Sequence, residues 1–148
     1  MNRRRPFVES LQTYGNALLV LPAFSYSFNT AVSLRAAYTI EDSDSPVRPV
    51  FFNPGYLRNL SVFWRNEGLK AGRLSTGFIM TSIALEICDN VELYGFWPFS
   101  NHPYDYYPLS NHYYDDMKVS FVHAMPAEFN ILLQLHSEGV LKLHLGNC

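Results

Sequence analysis

Three small residues, Ser75, Thr76 and Gly77, lie where a turn is predicted to become an apolar helix. The first backbone N–H groups of a helix have no intrahelical partner, and the helix dipole is positive at that end. Such a helix start can hold a phosphate or a carboxylate. The same residue types are also ordinary helix caps, so this segment fits both an anion site and a plain cap.

His123 is the histidine whose position best fits acid–base chemistry. It follows the predicted strand 119–122 and precedes a helix predicted to begin near Pro126. A histidine titrates near neutral pH, so His123 could serve as a general base; a structural histidine is the alternative. His112 lies beside two tyrosines on a predicted loop. It could donate a hydrogen bond to an anion or be a simple loop residue.

The other histidines and the known catalytic motifs give little support to other chemistries. We expect His136 to be packed on a helix face and His102 and His144 to be solvated. No H-E-x-x-H motif or Cys/His cluster occurs, so a metal site held by the protein is not expected. The sequence also lacks the G-x-S-x-G, Walker and G-x-G-x-x-G patterns, which leaves hydrolase, NTPase and dinucleotide-binding functions unsupported.

Alternating strands and helices must position these residues. Apolar strands at 17–21, 47–52 and 91–95 are separated by helical segments, which predicts an α/β fold with a mostly parallel sheet flanked by helices. Ligands in such folds collect beyond the carboxyl ends of strands. Trp97, Pro98 and Phe99 lie just beyond the third strand.

The helices themselves carry local signals. Asn53 and Pro54 fit the cap and first residue of a helix that stops near Gly68. The helix after Gly77 has an apolar face that we expect to pack against the sheet. Its members are Ile79, Met80, Ile83, Ala84 and Ile87.

Composition describes one globular domain covering residues 1–148. The apolar fraction is 48%, the charged fraction is 16% and the net charge is −2. Nucleic acid is therefore not an expected partner, and no apolar run is long enough to cross a bilayer. Cys88 and Cys148 could be reduced, could pair with each other or could have lost other partners. Asn59 begins an N-x-S sequon, which matters only in a secretory protein.

Residues 73–129 resemble, in order, three motifs of the animal sialyltransferases. Residues 74–88, followed by 93–99, are similar to the small sialyl motif. Residues 112–115 resemble the third motif, and residues 123–129 resemble the very small motif. Three motifs in the same order form a specific signal.

Two further segments resemble one branch of that family. The Tyr-Gly-Phe-Trp-Pro-Phe run at 94–99 and the C-terminal residues 143–148 look like those of the alpha-2,8-sialyltransferases. Asn53-Pro54 followed by Phe63-Trp64 looks most like the members that extend gangliosides.

The resemblance implies a fold, an activity and a location. It implies a Rossmann-like, GT-A-like variant fold in a type II enzyme of the Golgi membrane that faces the lumen. The enzyme would transfer sialic acid from CMP-sialic acid to a terminal sialic acid of a glycolipid, such as a ganglioside, or of a glycoprotein. An alpha-2,8 linkage would form with inversion, without a metal or another cofactor.

The resemblance also implies roles for individual residues around the donor. Ser75–Gly77 would hold the donor through its phosphate or carboxylate. Trp97, Pro98 and Phe99 would form a wall for the nucleotide. His112 would hydrogen-bond the donor phosphate and stabilise the departing CMP.

On the acceptor side, the resemblance makes His123 the base that deprotonates the acceptor hydroxyl. Glu128 would be structural. A transition state with oxocarbenium character needs an anion cradle for CMP and a base on the opposite face, which agrees with these roles. A helix N-terminus and a histidine can form the cradle without a metal.

The sequence departs from the family's pattern in one respect. The long motif that binds the donor nucleotide, and that carries the partner of the small-motif cysteine, has no match in residues 1–148. We therefore expect the chain to be the C-terminal part of a single catalytic domain, with little activity alone. Cys88 and Cys148 would pair with cysteines outside this chain, and a membrane anchor is expected in the full-length protein.

Two other functions remain open from the sequence. The chain could be a non-catalytic fragment or isoform that associates with the full-length enzyme, as a homo- or hetero-oligomer. It could also be a module that binds sialylated glycans through the aromatic loop 97–107.

Overall fold

The computed structural model describes residues 4–102, 107–110 and 123–146. The contacts of the chain divide it between Asn59 and Leu60 into two compact units. Each unit contains one pair of parallel strands together with helices. The predicted α/β class and the parallel pairing of strands are confirmed, although the strands of the described residues form two separate pairs.

The first unit holds two strands of four residues each. Its elements are α1 (Arg4–Gln12), β1 (Leu18–Leu21), α2 (Ser27–Glu41) and β2 (Arg48–Phe51). The two strands run parallel, with Leu18 opposite Arg48. Helix α2 packs on β2 and buries Ala36, Ala37 and Ile40.

Helix α3 (Pro54–Asn66) begins and ends as its sequence predicts. The Asn53 side-chain oxygen accepts hydrogen bonds from the N–H groups of Gly55 and Tyr56, at 2.8 and 3.3 Å. Gly68 follows the helix with a φ of 95°, a conformation that glycine adopts without strain. Local chemistry alone therefore fixes both ends of this helix.

The second unit carries the residues with predicted chemistry. After α3 it contains α4 (Thr76–Ile87), β3 (Glu92–Leu93), α5 (Met125–Ser137) and β4 (Lys142–Leu143). The strands β3 and β4 pair in parallel, and α5 packs on β4. Gly139 follows α5 with a φ of 75°, as a helix-ending glycine does. Among the residues that the structure describes, no helix is long and apolar enough to cross a membrane.

The predicted buried face of α4 is wrong in part. Met80 is 42% exposed and Ile87 is 75% exposed. The helix is apolar almost all round, so its hydrophobic pattern does not single out one face. The side chains that it buries are Phe78, Ile79, Thr81 and Ser82.

A hydrogen bond inside the core determines this orientation of α4. The Trp64 indole N–H donates to the Ser82 hydroxyl at 2.9 Å, and that hydroxyl donates to the Phe78 carbonyl at 2.9 Å. The Trp64 ring also packs edge-on against Phe78, with centroids 4.9 Å apart. Turning the helix would leave the buried indole N–H without a partner, which is costly.

Candidate functional site

A cavity of about 270 Å³ lies between the start of α4, the segment 95–98 and the first half of α5. Four residues predicted to bind the donor line it: Ser75, Gly77, Trp97 and Pro98. The apolar part of its lining includes Phe78, Phe96, Phe129 and Leu132. The structure thus brings both predicted halves of the donor site, the helix start and the aromatic segment, to one cavity.

Ser75 is the N-cap of α4. Its hydroxyl oxygen accepts a hydrogen bond from the Phe78 N–H at 3.1 Å. Its own N–H donates to a carboxylate oxygen of Glu128 at 2.7 Å, and Glu128 is only 3% exposed. The Ser75 N–H therefore already has an acceptor in Glu128. In the part of the chain that the structure describes, the N–H groups of Thr76 and Gly77 have no protein partner and remain available.

Gly77 lets an aromatic ring approach the helix start. A Cβ atom at this position would lie 3.2 Å from Cε1 of Phe96, closer than ordinary contact. Both residues line the cavity, so the missing side chain leaves room for the ring and for a ligand. Thr76 is exposed and is not among the lining residues.

The aromatic segment is held by a cluster of three rings. Trp97 contacts Phe99 and Phe129 edge-on, with centroid distances of 4.9 and 5.7 Å. The Trp97 indole N–H donates to the Asn101 carbonyl at 2.7 Å. Phe99 lines a smaller neighbouring cavity of about 60 Å³, together with Trp97 and Pro98. Phe99 therefore supports the wall of the main cavity through Trp97 and does not line that cavity.

His123 is held by two contacts with Arg73. Its Nδ1 lies 2.9 Å from the Arg73 carbonyl oxygen, and its Nε2 lies 3.2 Å from a guanidinium nitrogen of Arg73. A guanidinium can only donate, so Nε2 must accept and Nδ1 must carry the proton given to the carbonyl. This network assigns a neutral ring whose unprotonated nitrogen is Nε2. A general base needs such a nitrogen, although here Arg73 covers it.

Sequence reasoning missed the role of Arg73. The arginine lies two residues before Ser75, and its contact with His123 spans 50 residues of sequence. No local pattern signals a contact of that range. Two long-range contacts join the segment 73–75 to the start of α5: Arg73 contacts His123, and Ser75 contacts Glu128. These two contacts bring the predicted site residues together.

The remaining predicted site residues lie apart from the cavity or outside the described residues. His112 and Cys148 are outside the residues that the structure describes. Cys88 lies within the described residues, where it is exposed and has a free thiol. Asn59 is exposed on α3, so a glycan could reach it. Their predicted roles stay predictions.

The sequence predicts a solvated His144, but this residue has protein partners. Its ring stacks on Tyr94, with centroids 4.1 Å apart, and its Nε2 donates to a carboxylate oxygen of Glu92 at 2.7 Å. The Tyr94 hydroxyl donates to the same oxygen at 2.9 Å, and Lys142 lies 3.9 Å away. The His144 hydrogen bond first, then that of Tyr94 and the charge of Lys142, lower the pKa of Glu92 from its ordinary 4.5. Pairing of β3 with β4 brings these residues together.

The other two histidines also differ from expectation. His102 stacks on Tyr107, with centroids 4.6 Å apart, and is half-buried. His136 is exposed, and its Nδ1 accepts from the Leu143 N–H at 3.4 Å. Across residues 4–102, 107–110 and 123–146, no three histidine, cysteine or acidic side chains form a group that could hold a metal ion.

Comparison with known proteins identifies the family. Residues 1–140 match the model of glycosyltransferase family 29, the sialyltransferases. The chain is 49% identical to human alpha-2,8-sialyltransferase 8F over 142 residues, which are 96% of this chain and 36% of that protein. It is 46% identical to human alpha-2,8-sialyltransferase 8E over 145 residues, which are 98% of the chain and 39% of the relative.

A third relative is the alpha-N-acetylneuraminide alpha-2,8-sialyltransferase of Xenopus laevis. It is 45% identical over 154 residues, covering 98% of this chain and 40% of the relative. The chain thus spans well under half the length of the relatives that it matches, in their C-terminal portion. With a family match over nearly its whole length, the chain belongs to glycosyltransferase family 29, the sialyltransferase family.

Proposed function

We propose that this chain supplies part of the catalytic domain of an alpha-2,8-sialyltransferase. The reaction moves sialic acid from CMP-sialic acid to a terminal sialic acid of a glycolipid, such as a ganglioside, or of a glycoprotein. The observation that carries the proposal is the position of His123. Arg73 contacts the unprotonated Nε2 of His123 and holds the ring in place. Arg73 lies two residues before Ser75, the helix cap that lines the cavity. The relatives of the chain are alpha-2,8-sialyltransferases, which supports the linkage.

The donor binds in the cavity at the start of α4. The free N–H groups of Thr76 and Gly77 and the Ser75 hydroxyl hydrogen-bond its phosphate or carboxylate. The nucleotide lies against Trp97 and Pro98, which Phe99 supports from behind. His112 adds a hydrogen bond to the phosphate and stabilises the departing CMP. Glu128 positions Ser75 and takes no part in the chemistry.

Transfer is a single displacement at the anomeric carbon of the donor. Nε2 of His123 removes the proton of the acceptor hydroxyl, and that oxygen forms the new bond to the anomeric carbon. The bond from that carbon to the phosphate oxygen breaks, and its electron pair leaves with CMP. Attack from the face opposite to the leaving group inverts the configuration. Hydrogen bonds at the cradle stabilise the charge that develops on the phosphate, so this scheme needs no metal.

The rest of the proposal concerns the whole protein. The chain contributes the C-terminal part of one catalytic domain with a GT-A-like variant fold, since it covers 36–40% of the relatives' lengths. The protein is anchored in the Golgi membrane and faces the lumen. Cys88 and Cys148 form disulfides with cysteines outside this chain, and Asn59 carries a glycan. Association into homo- or hetero-oligomers is compatible with this scheme.

The test replaces His123 in the full-length protein that contains this chain. His123→Ala is expected to keep CMP binding and to lower transfer about 10²- to 10⁴-fold, the usual contribution of a general base. The exposed His136 gives a matched control, His136→Ala, which should retain activity. Unchanged turnover in His123→Ala would overturn the base assignment. Binding of sialylated glycans without affinity for CMP would instead favour a glycan-binding module.

A further inference from the structure

In the scheme above Arg73 touches no substrate and only holds His123, although it covers Nε2, the atom on which that scheme depends. One of its guanidinium nitrogens lies 3.2 Å from Nε2 of His123. Both side chains are half-buried. No acceptor hydroxyl can reach Nε2 while the guanidinium occupies its lone pair. Something must therefore draw Arg73 away when the acceptor arrives.

We propose that Arg73 binds the carboxylate of the acceptor's terminal sialic acid and so makes the base available only to anionic acceptors. This inference rests on the proposed function. A guanidinium presents a planar fork of donors that matches a carboxylate, and such charged pairs are about twice as strong as neutral hydrogen bonds. An acceptor carboxylate therefore competes well against the neutral imidazole for Arg73. The lone pair of Nε2 is then free for the acceptor hydroxyl.

The position of Arg73 and His123 favours contact with the acceptor over contact with the donor. Neither Arg73 nor His123 lines the cavity, but Ser75 and Met125, each two residues further along the chain, do. The donor can thus fill the cavity while the acceptor lies at its edge against the pair. In a terminal sialic acid the carboxylate and the nucleophilic hydroxyl belong to the same sugar. One residue can therefore anchor the sugar while its neighbour takes the proton.

A neutral acceptor gives the opposite result. A terminal galactose offers no charge to compete for the guanidinium, so Arg73 stays on Nε2 and the base remains blocked. The contact between Arg73 and His123 thereby selects sialylated acceptors without any contact to the rest of the glycan.

The first experiment needs no variant. Full-length wild-type protein is given CMP-sialic acid and either sialyllactose or its carboxyl methyl ester, which removes the acceptor's negative charge and adds one methyl group. We expect kcat/KM to be about 10- to 100-fold lower for the ester, as for loss of a charged hydrogen bond. Equal kcat/KM for the acid and the ester would overturn the proposal.

The second experiment assigns that discrimination to Arg73. Arg73→Gln should treat the acid and the ester nearly alike, so that the roughly 10- to 100-fold ratio of their kcat/KM values falls to about 1. The value for the acid falls because its carboxylate loses its partner, and the value for the ester rises because Nε2 is no longer covered. Arg73→Lys should recover part of the preference because it keeps the charge but loses the fork. Arg65→Gln, at an exposed arginine of α3, is the matched control and should behave as wild type. Full discrimination in Arg73→Gln would contradict the role.

Binding measurements separate this inference from the proposed function. NMR titration of wild type with sialyllactose, CMP being present, should give a Kd about 10-fold or more below that for the ester. Equal affinity would overturn the Arg73 proposal even if transfer occurs. Absence of transfer with every acceptor, together with a retained preference for the acid that Arg73→Gln removes, would overturn the proposed function and support the Arg73 site.

Discussion

The N–H of Ser75 donates to the buried carboxylate of Glu128 at 2.7 Å, joining residues 53 positions apart. Ser75 is the cap of α4, and Glu128 lies in the first turn of α5. The two helices that line the cavity are therefore joined at their starts. A negative side chain is also favourable at both of these helix N-termini.

Replacing Glu128 should destabilise the second unit. Glu128→Ala leaves the Ser75 N–H without its acceptor, and we expect the free energy of unfolding to fall by about 1–3 kcal/mol. Glu128→Gln keeps an acceptor oxygen and should lose less. Urea denaturation measures both, with the exposed Glu67→Ala as control, expected within about 0.5 kcal/mol of wild type. A Glu128→Ala protein as stable as that control would refute a structural role for this carboxylate.

Gly77→Ala should separate stability from donor binding. Alanine is favoured over glycine in a helix by about 1 kcal/mol, so stability should stay constant or rise. The new Cβ meets Phe96 at 3.2 Å, and both groups line the cavity. Calorimetric titration should therefore show weaker CMP binding. Gly146→Ala, where a Cβ meets nothing within 4 Å, is the matched control. Tighter CMP binding by Gly77→Ala would contradict this placement of the donor.

The aromatic ring of Trp97 should contribute to CMP affinity by stacking. Trp97→Phe keeps an aromatic wall but loses the hydrogen bond to the Asn101 carbonyl, so stability should fall by about 1 kcal/mol with little loss of CMP affinity. Trp97→Ala removes the wall and should weaken CMP binding about 5- to 150-fold, the usual range for base stacking. Phe63→Ala, at a ring 52% exposed on α3, serves as control. Equal CMP affinity of the two Trp97 variants would argue against stacking.

Glu92 should make the stability of the second unit depend on pH in the acid range. Its pKa in the folded protein is lowered, chiefly by the His144 hydrogen bond. A lowered carboxyl pKa contributes stability above the ordinary value of 4.5, and this contribution is lost as the pH falls through the folded-state pKa. Glu92→Gln should therefore be less stable than wild type near pH 7, and the two should converge below pH 4.5. Thermal melts across this range check it, with Glu67→Gln as control; a pH-independent difference would contradict the linkage.

The parts of the fold that rest on local chemistry could be predicted from the sequence. Asn53 and Ser75 cap their helices through their own side chains, and Gly139 supplies the positive φ that ends α5. These signals act over three or four residues and need no tertiary context. The parallel pairing of strands was also predictable, since apolar strands alternate with helices.

The parts that rest on long-range contacts could not be predicted in this way. The sequence predicts a solvated His144 because its partners Tyr94 and Glu92 lie about 50 positions earlier in the chain. The Arg73–His123 contact is hidden for the same reason. The exposure of Met80 and Ile87 is also hidden, because the hydrogen bond from Trp64 to Ser82 decides which side of α4 is buried.

The two bonds that join the segment 73–75 to the start of α5 have a consequence for folding. They connect residues 50 and 53 positions apart, and closing a loop of that length costs about 3.5 kcal/mol of chain entropy in its length-dependent part. Contacts of such range form late, after the local helices. The Arg73–His123 and Ser75–Glu128 contacts are therefore expected to form in the same late step. Because the Ser75 amide proton is protected only while this loop is closed, its hydrogen-exchange rate measures how often the site opens, with no substrate present.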